Sequence, residues 1–157
     1  MDAGSIQVEA ALENLRDHFR AMPPIVAMHA DIAGYDGERL HLRAPLAANV
    51  NDKGSAFGGS MTSLMTLAGW GLVMLRLQLA GLQADVFVAD SNVRYRKPLY
   101  ADLEAAAIPA AGESWEPFFA AFVQRGRARI ELHAQILLPE GAVAAELAGR
   151  YVAIAKG

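Results

Sequence analysis

From Ala56 to Leu75 the chain carries no charged side chain, a run close to the length of a membrane-spanning helix. Gly58, Gly59, Ser60, Thr62, Ser63, Thr66, Gly69 and Gly71 interrupt it, and Arg76 closes it. The flanks Asn49, Asn51, Asp52 and Lys53 are polar and mixed in charge rather than basic on one side. A helix that is apolar all round must be buried, either in lipid or in protein. Here the rest of the chain reads as strands able to wrap it, so a buried helix is expected and no membrane is.

The other elements follow from periodicity. Val8, Leu12, Leu15, Phe19 and Met22 recur at steps of four and three, an amphipathic helix. Ser5 is expected to cap it and Pro23-Pro24 to end it, giving an N-terminal helical segment over 1–24. Val26, Met28, Ala30 and Ile32 alternate with His29 and Asp31, the period of a strand. Gly34-Tyr35-Asp36-Gly37 has turn chemistry, and Leu40 and Leu42 mark the returning strand as far as Pro45. A loop over 46–59 leads into the central helix, 58–81, ending near Gly81. Strand patterns follow over Asp85–Tyr95 and Leu103–Ile108, broken by Pro98. Ser114-Trp115-Glu116-Pro117 either opens a short helix, with Phe118, Phe119 and Phe122 on its buried side, or belongs to a bulged strand. Ile130, Leu132, Ala134, Ile136 and Leu138 alternate with polar residues, Pro139-Glu140-Gly141 turns the chain, and Ala142–Ala155 forms the last strand.

An α+β fold results, with an antiparallel sheet of five to six strands curled around one long apolar helix. With 157 residues, one domain over 1–157 is expected. Such a sheet leaves open edges, which favours a homodimer or a dimer of dimers. Hydrophobic residues at 54% and charged ones at 20% exclude extensive disorder. A formal charge of −3 gives no general case for nucleic acid. The absence of cysteine removes disulfides, thiolate ligands and a cysteine nucleophile. No basic run precedes an apolar core near Asp2, so a signal peptide is not expected and cytoplasmic placement is. His18, His29, His41 and His133 have neither metal-ligand spacing nor triad companions.

The loop Asn49-Val50-Asn51-Asp52-Lys53-Gly54-Ser55-Ala56-Phe57-Gly58-Gly59-Ser60 resembles the active-site loop of hotdog-fold thioesterases. Asn51, Gly54, Gly58 and Gly59 fall at that superfamily's positions, while Phe57 stands where histidine is usual. With Ala68-Gly69-Trp70-Gly71, Val88-Ala89-Asp90-Ser91 and Arg94-Tyr95, nearly the whole chain resembles the thioesterase domain of YiiD C-terminal type. The matched region occupies the available length, so the acetyltransferase domain that precedes it in some proteins is not expected. The resemblance implies a hotdog fold, an acyl thioester of coenzyme A or an acyl carrier protein as substrate, and a site shared across a dimer. Coenzyme A enters as substrate, and neither cofactor nor metal is expected.

The residues themselves carry part of that chemistry. Gly58-Gly59 either presents unobstructed amides to a carbonyl oxygen that becomes anionic, or permits close helix–sheet packing. Relatives carry a carboxylate on the central helix where this chain has Thr66; its hydroxyl either orients a water or bonds back to its own helix. Two other carboxylates are candidates for the base. Asp52 is either that base or a turn residue, and Asp90 is either the base or an ion-pair partner of Arg94, four residues along the same strand face. Asn51 holds a water or the substrate carbonyl, or else closes a turn. The resemblance places Phe57, Arg94, Arg96 and Lys97 against substrate, the basic ones near coenzyme A phosphates; Arg125, Arg127 and Arg129 form a second basic stripe. Thioester hydrolysis leads, with a non-catalytic acyl-binding module as the alternative and a hydratase or dehydratase behind it, disfavoured by Phe57.

Overall fold

The computed structural model describes residues 2–157. Helix α1 (Ala3–Arg20) buries Leu12, Leu15 and Phe19 of the expected stripe together with Ala11, while Val8 is partly buried and Met22 lies past the helix end. Its cap is Asp2 rather than Ser5, because the Ser5 backbone N–H donates to Asp2 Oδ1 at 2.8 Å. The proline pair separates two helices instead of opening a strand. Pro23 begins α2 (Pro23–Met28), where a missing N–H leaves no bond unmade. His29 then takes a left-handed conformation, φ 55°, and stops it. Val26 and Met28 are therefore helical, and the strand expected there begins only at Asp31.

Strands β1 (Asp31–Tyr35) and β2 (Leu40–Ala44) form a hairpin whose turn, Asp36 to Arg39, lies two residues later than its glycines suggest. Asp36 holds that turn, accepting from the backbone N–H groups of Arg39 at 2.6 Å and Glu38 at 2.9 Å. After the central helix α3 (Gly58–Leu79) come β3 (Ala84–Tyr95), β4 (Leu103–Pro109), α4 (Trp115–Arg125), β5 (Arg127–Leu137) and β6 (Val143–Ala155). The Ser114–Pro117 segment thus opens a helix, closed by Gly126 at φ 69°. Trp115, Phe118 and Phe122 form its buried side, and Arg76 of α3 stacks on the Trp115 ring at 4.9 Å.

The six strands make one antiparallel sheet in the order β1-β2-β4-β5-β6-β3. Five of them, β2 to β6, contact α3. That enclosure explains the uncharged run: Leu64, Met65, Ala68, Leu72 and Val73 are fully buried. Two glycines set how closely helix and sheet approach. A Cβ on Gly69 would lie 2.3 Å from the Tyr151 hydroxyl, and one on Gly71 would lie 2.8 Å from Leu40. Tyr151 is fully buried, its hydroxyl donates to the Thr66 carbonyl at 3.1 Å, and burial pushes its pKa upward, keeping the phenol a neutral donor. Among the described residues no helix is long and apolar enough to cross a membrane.

One irregularity in β3 governs what faces the helix. Val86 and Val88 pair with Ala153 and Tyr151, which point inward; the register then shifts between Val88 and Asp90. Ala89 is the extra residue, and a single extra residue exchanges the two faces of a strand. Beyond it Asp90 and Arg94 lie opposite Arg150 and Glu146 on the outer face, while Ser91, Val93 and Tyr95 share the inner face with Gly149, Leu147 and Ala145.

Candidate active site

The loop before α3 is built by its asparagines. Asn49 is buried, and its Nδ2 donates to the carbonyls of Met28 at 3.0 Å and Pro45 at 2.8 Å, tying the loop to α2 and to the end of β2. Its carbonyl accepts from Phe57 N–H at 2.8 Å, one residue before the helix. Asn51 Oδ1 accepts from the N–H groups of Lys53 and Ser55, and its Nδ2 donates to Ser55 Oγ at 2.9 Å. These are turn-closing bonds. Gly54, at φ 83°, supplies the left-handed step. Asp52 is turned outward, paired with Lys53 Nζ at 2.8 Å, its side chain 82% exposed.

At the helix start, Phe57 is the N-cap, and no side chain caps the first-turn amides. The Phe57 ring folds back over Gly59: a Cβ there would meet its Cε2 at 2.5 Å. From the other side comes Tyr95, delivered inward by the Ala89 bulge. Its hydroxyl donates to the Gly58 carbonyl at 3.2 Å and shares a short hydrogen bond with Thr62 Oγ1. A Cβ on Gly58 would touch the Tyr95 ring at 3.4 Å. Uncapped amides, a half-exposed aromatic ring and a pair of hydroxyls therefore converge at one point. Positive helix-end potential and free N–H donors suit an oxygen that gains negative charge. Thr66 lies about two turns further along the helix and is half-buried.

The structure does not bring every candidate here. Asp90 lies on the outer face, and its partner is Arg150, directly opposite on β6, rather than Arg94. Cross-strand neighbours stand about 5 Å apart, whereas four residues along a strand span roughly 13 Å, so the registered pair prevails. Arg96 forms a two-pronged pair with Glu146, at 3.0 and 3.1 Å, which holds the Glu146 carboxyl below its ordinary value. Arg94 also faces Glu146, and Lys97 is exposed. Tyr95, Thr62 and Asn49 are the residues whose parts sequence reasoning missed. Alternation counted along β3 from Val86 and Val88 puts Tyr95 on the outer face, and the bulge reverses that count.

A curled six-stranded antiparallel sheet around a long helix, with an active-site-type loop at the helix start, is the hotdog arrangement of the thioesterases. The structure of a protein of unknown function from Chlorobaculum tepidum is similar, with a TM-score of 0.85, 33% identity, and coverage of 92% of this chain and 94% of that one. A putative thioesterase from Shewanella oneidensis has a TM-score of 0.82 at 29% identity, covering 93% and 99%. A thioesterase from Haemophilus influenzae shares the fold, with a TM-score of 0.67 at 16% identity over 92% and 90%. Residues 12–155 match the model of the family described as "Putative thioesterase (yiiD_Cterm)". The chain belongs to that family, and its thioesterase class follows from it.

Proposed function

We propose that the chain hydrolyses an acyl thioester of coenzyme A or of an acyl carrier protein at the N-terminus of α3, in a homodimer. The observation that carries this reading is the uncapped Gly58-Gly59 helix start flanked by Tyr95 and Thr62. Water adds to the thioester carbonyl carbon, and the oxygen that becomes anionic lies against the first-turn amides. The carbon–sulfur bond then breaks, releasing a carboxylic acid and a thiol. Loss of one such donor typically lowers the rate about 10²–10³-fold. Thr62 and Tyr95 form a donor–acceptor chain able to orient the water. Asp52 is the carboxylate nearer in sequence, four residues before the Ala56 that opens the uncharged run, and acts as base once its exposed pair with Lys53 gives way. Asp90, on the outer face and paired with Arg150, is the less favoured base.

A second copy is supported by exposed apolar side chains around the same site: Phe57, Tyr95 and Tyr100, with Phe87 and Val88 along the β3 edge. A panel of acyl-coenzyme A esters, read by thiol release, tests the reaction. Turnover is expected for at least one ester, with a loss of about a hundredfold or more in Gly59→Val. A valine there must displace the half-exposed Phe57 ring, leaving the fold intact. Tight binding of the esters without thiol release would move the acyl-binding module into first place.

A further inference from the structure

On the outer face of the sheet, away from α3, a groove of about 720 Å³ runs between α4 and strands β5 and β6. Its size is that of a small-molecule site, for which roughly 300–1,000 Å³ is usual. One wall is a single face of α4, Pro117, Ala121 and Arg125 at steps of four, and the opposite side carries Arg127, Arg129 and Arg150. Arg127 and Arg129 are alternate residues of β5, so their guanidinium groups share one side of the sheet.

The two basic stripes of the chain differ in how they are neutralised. In the first, Arg96 is paired with Glu146, while Arg94 and Lys97 form no ion pair among the described residues. In the second, none of Arg125, Arg127 and Arg129 forms an ion pair among the described residues, and of the groove's arginines only Arg150 is paired, with Asp90. Glu113, the carboxylate lining the groove, has Oε1 engaged by the Glu131 backbone N–H at 2.9 Å. At the far end stands Ser114, the N-cap of an eleven-residue helix, with no side-chain capping bond. Three exposed guanidinium groups without carboxylate partners line one groove, and their forked donors match phosphate oxygens. The small and apolar walls leave room for a ring system between the charged ends.

The geometry points to a second binding site here, for an organic diphosphate of nucleotide size, with its phosphates on Arg125, Arg127 and Arg129 and its ring along Pro117, Ala121 and Val152. That chemistry has two sources: a free nucleotide, or the adenosine diphosphate portion of a coenzyme A thioester. Binding of the free nucleotide does not depend on the proposed hydrolysis. Calorimetric titration of the full chain with ADP is expected to show saturable binding, weakened by added salt. Adenosine, lacking phosphate, is expected to bind at least tenfold more weakly. The double substitution Arg127→Ser with Arg129→Ser should lower ADP affinity at least tenfold, while Arg39→Ser, on the β1–β2 hairpin, should leave it unchanged. Ala121→Trp fills the groove without removing a charge and should also abolish binding. If the double variant raises KM for an acyl-coenzyme A, the ligand is the thioester's own diphosphate; if KM is unmoved while ADP binding is lost, it is a free nucleotide. No ADP binding by the unaltered chain, or equal binding by the groove variants, overturns the site whatever becomes of the hydrolysis.

Discussion

The two edges of the sheet have opposite constructions. At one end β1 has five residues, is bulged between Ile32 and Gly34, and carries Asp31 facing Arg43. At the other end β3 has twelve residues and leaves Phe87 56% and Val88 44% exposed. Short, bulged and charged edges are how single sheets avoid joining other sheets; long edges with apolar side chains invite it. The blunted edge closes the molecule, and the open one lies beside the helix start. In the proposed dimer, assembly and catalysis are tied to the same strand.

Damage to the core beneath both edges should have the largest effect and should not distinguish them. Gly69→Ala puts a methyl group into the buried Tyr151 ring and is expected to cost about 3 kcal/mol, as overpacking does, read as a lower urea midpoint. A change confined to the open edge comes next. Phe87→Lys with Val88→Lys should convert a dimer to a monomer in sedimentation velocity and lower turnover with it, whereas Asp31→Lys on the closed edge should leave the assembly unchanged. A monomer at micromolar concentration in the unaltered chain would remove the functional meaning of the difference between the edges.

Tyr95→Phe touches the open edge with a single atom. It deletes the bonds to Gly58 and Thr62 and should reduce kcat about tenfold, with stability within about 1 kcal/mol of the parent. Equal kcat in both proteins would assign Tyr95 to packing alone. The smallest effect belongs to the closed edge. Backbone N–H groups of Arg39 and Glu38, with His41, hold Asp36 at about 2, below its ordinary 3.8. A carboxyl lowered on folding stabilises the native state above its unfolded pKa, and that contribution disappears as pH falls through the folded value. The unaltered chain should therefore lose part of its urea resistance between about pH 4 and pH 2, a loss diminished in Asp36→Asn, with assembly and turnover at neutral pH unchanged.

The parts of the fold legible in the sequence were those whose period is their own. The uncharged run is α3, and the alternation from Ile130 to Ile136 is β5. Val26 to Ala30 misled because a period of two over so few residues also fits one helical turn, and a proline pair starts helices as well as ending them. The Gly-Gly helix start and its loop were readable because glycine and asparagine act locally. The partner of Asp90 was not, since strand register is decided across the sheet. Tyr95 was hidden for a related reason: no composition marks Ala89 as the residue where alternation changes sense.

That extra residue makes β3 a device set by its pairing. Were Ala89 paired as an ordinary strand residue instead of bulged, the stretch after Val88 would turn over, bringing Asp90, Asn92 and Arg94 against the helix and sending Tyr95 out to solvent. The same side chains in the same order would then line the helix start with charge in place of a phenol. Whether this one residue is paired or bulged thus changes the site's chemistry more than most substitutions could, and it alters no functional residue.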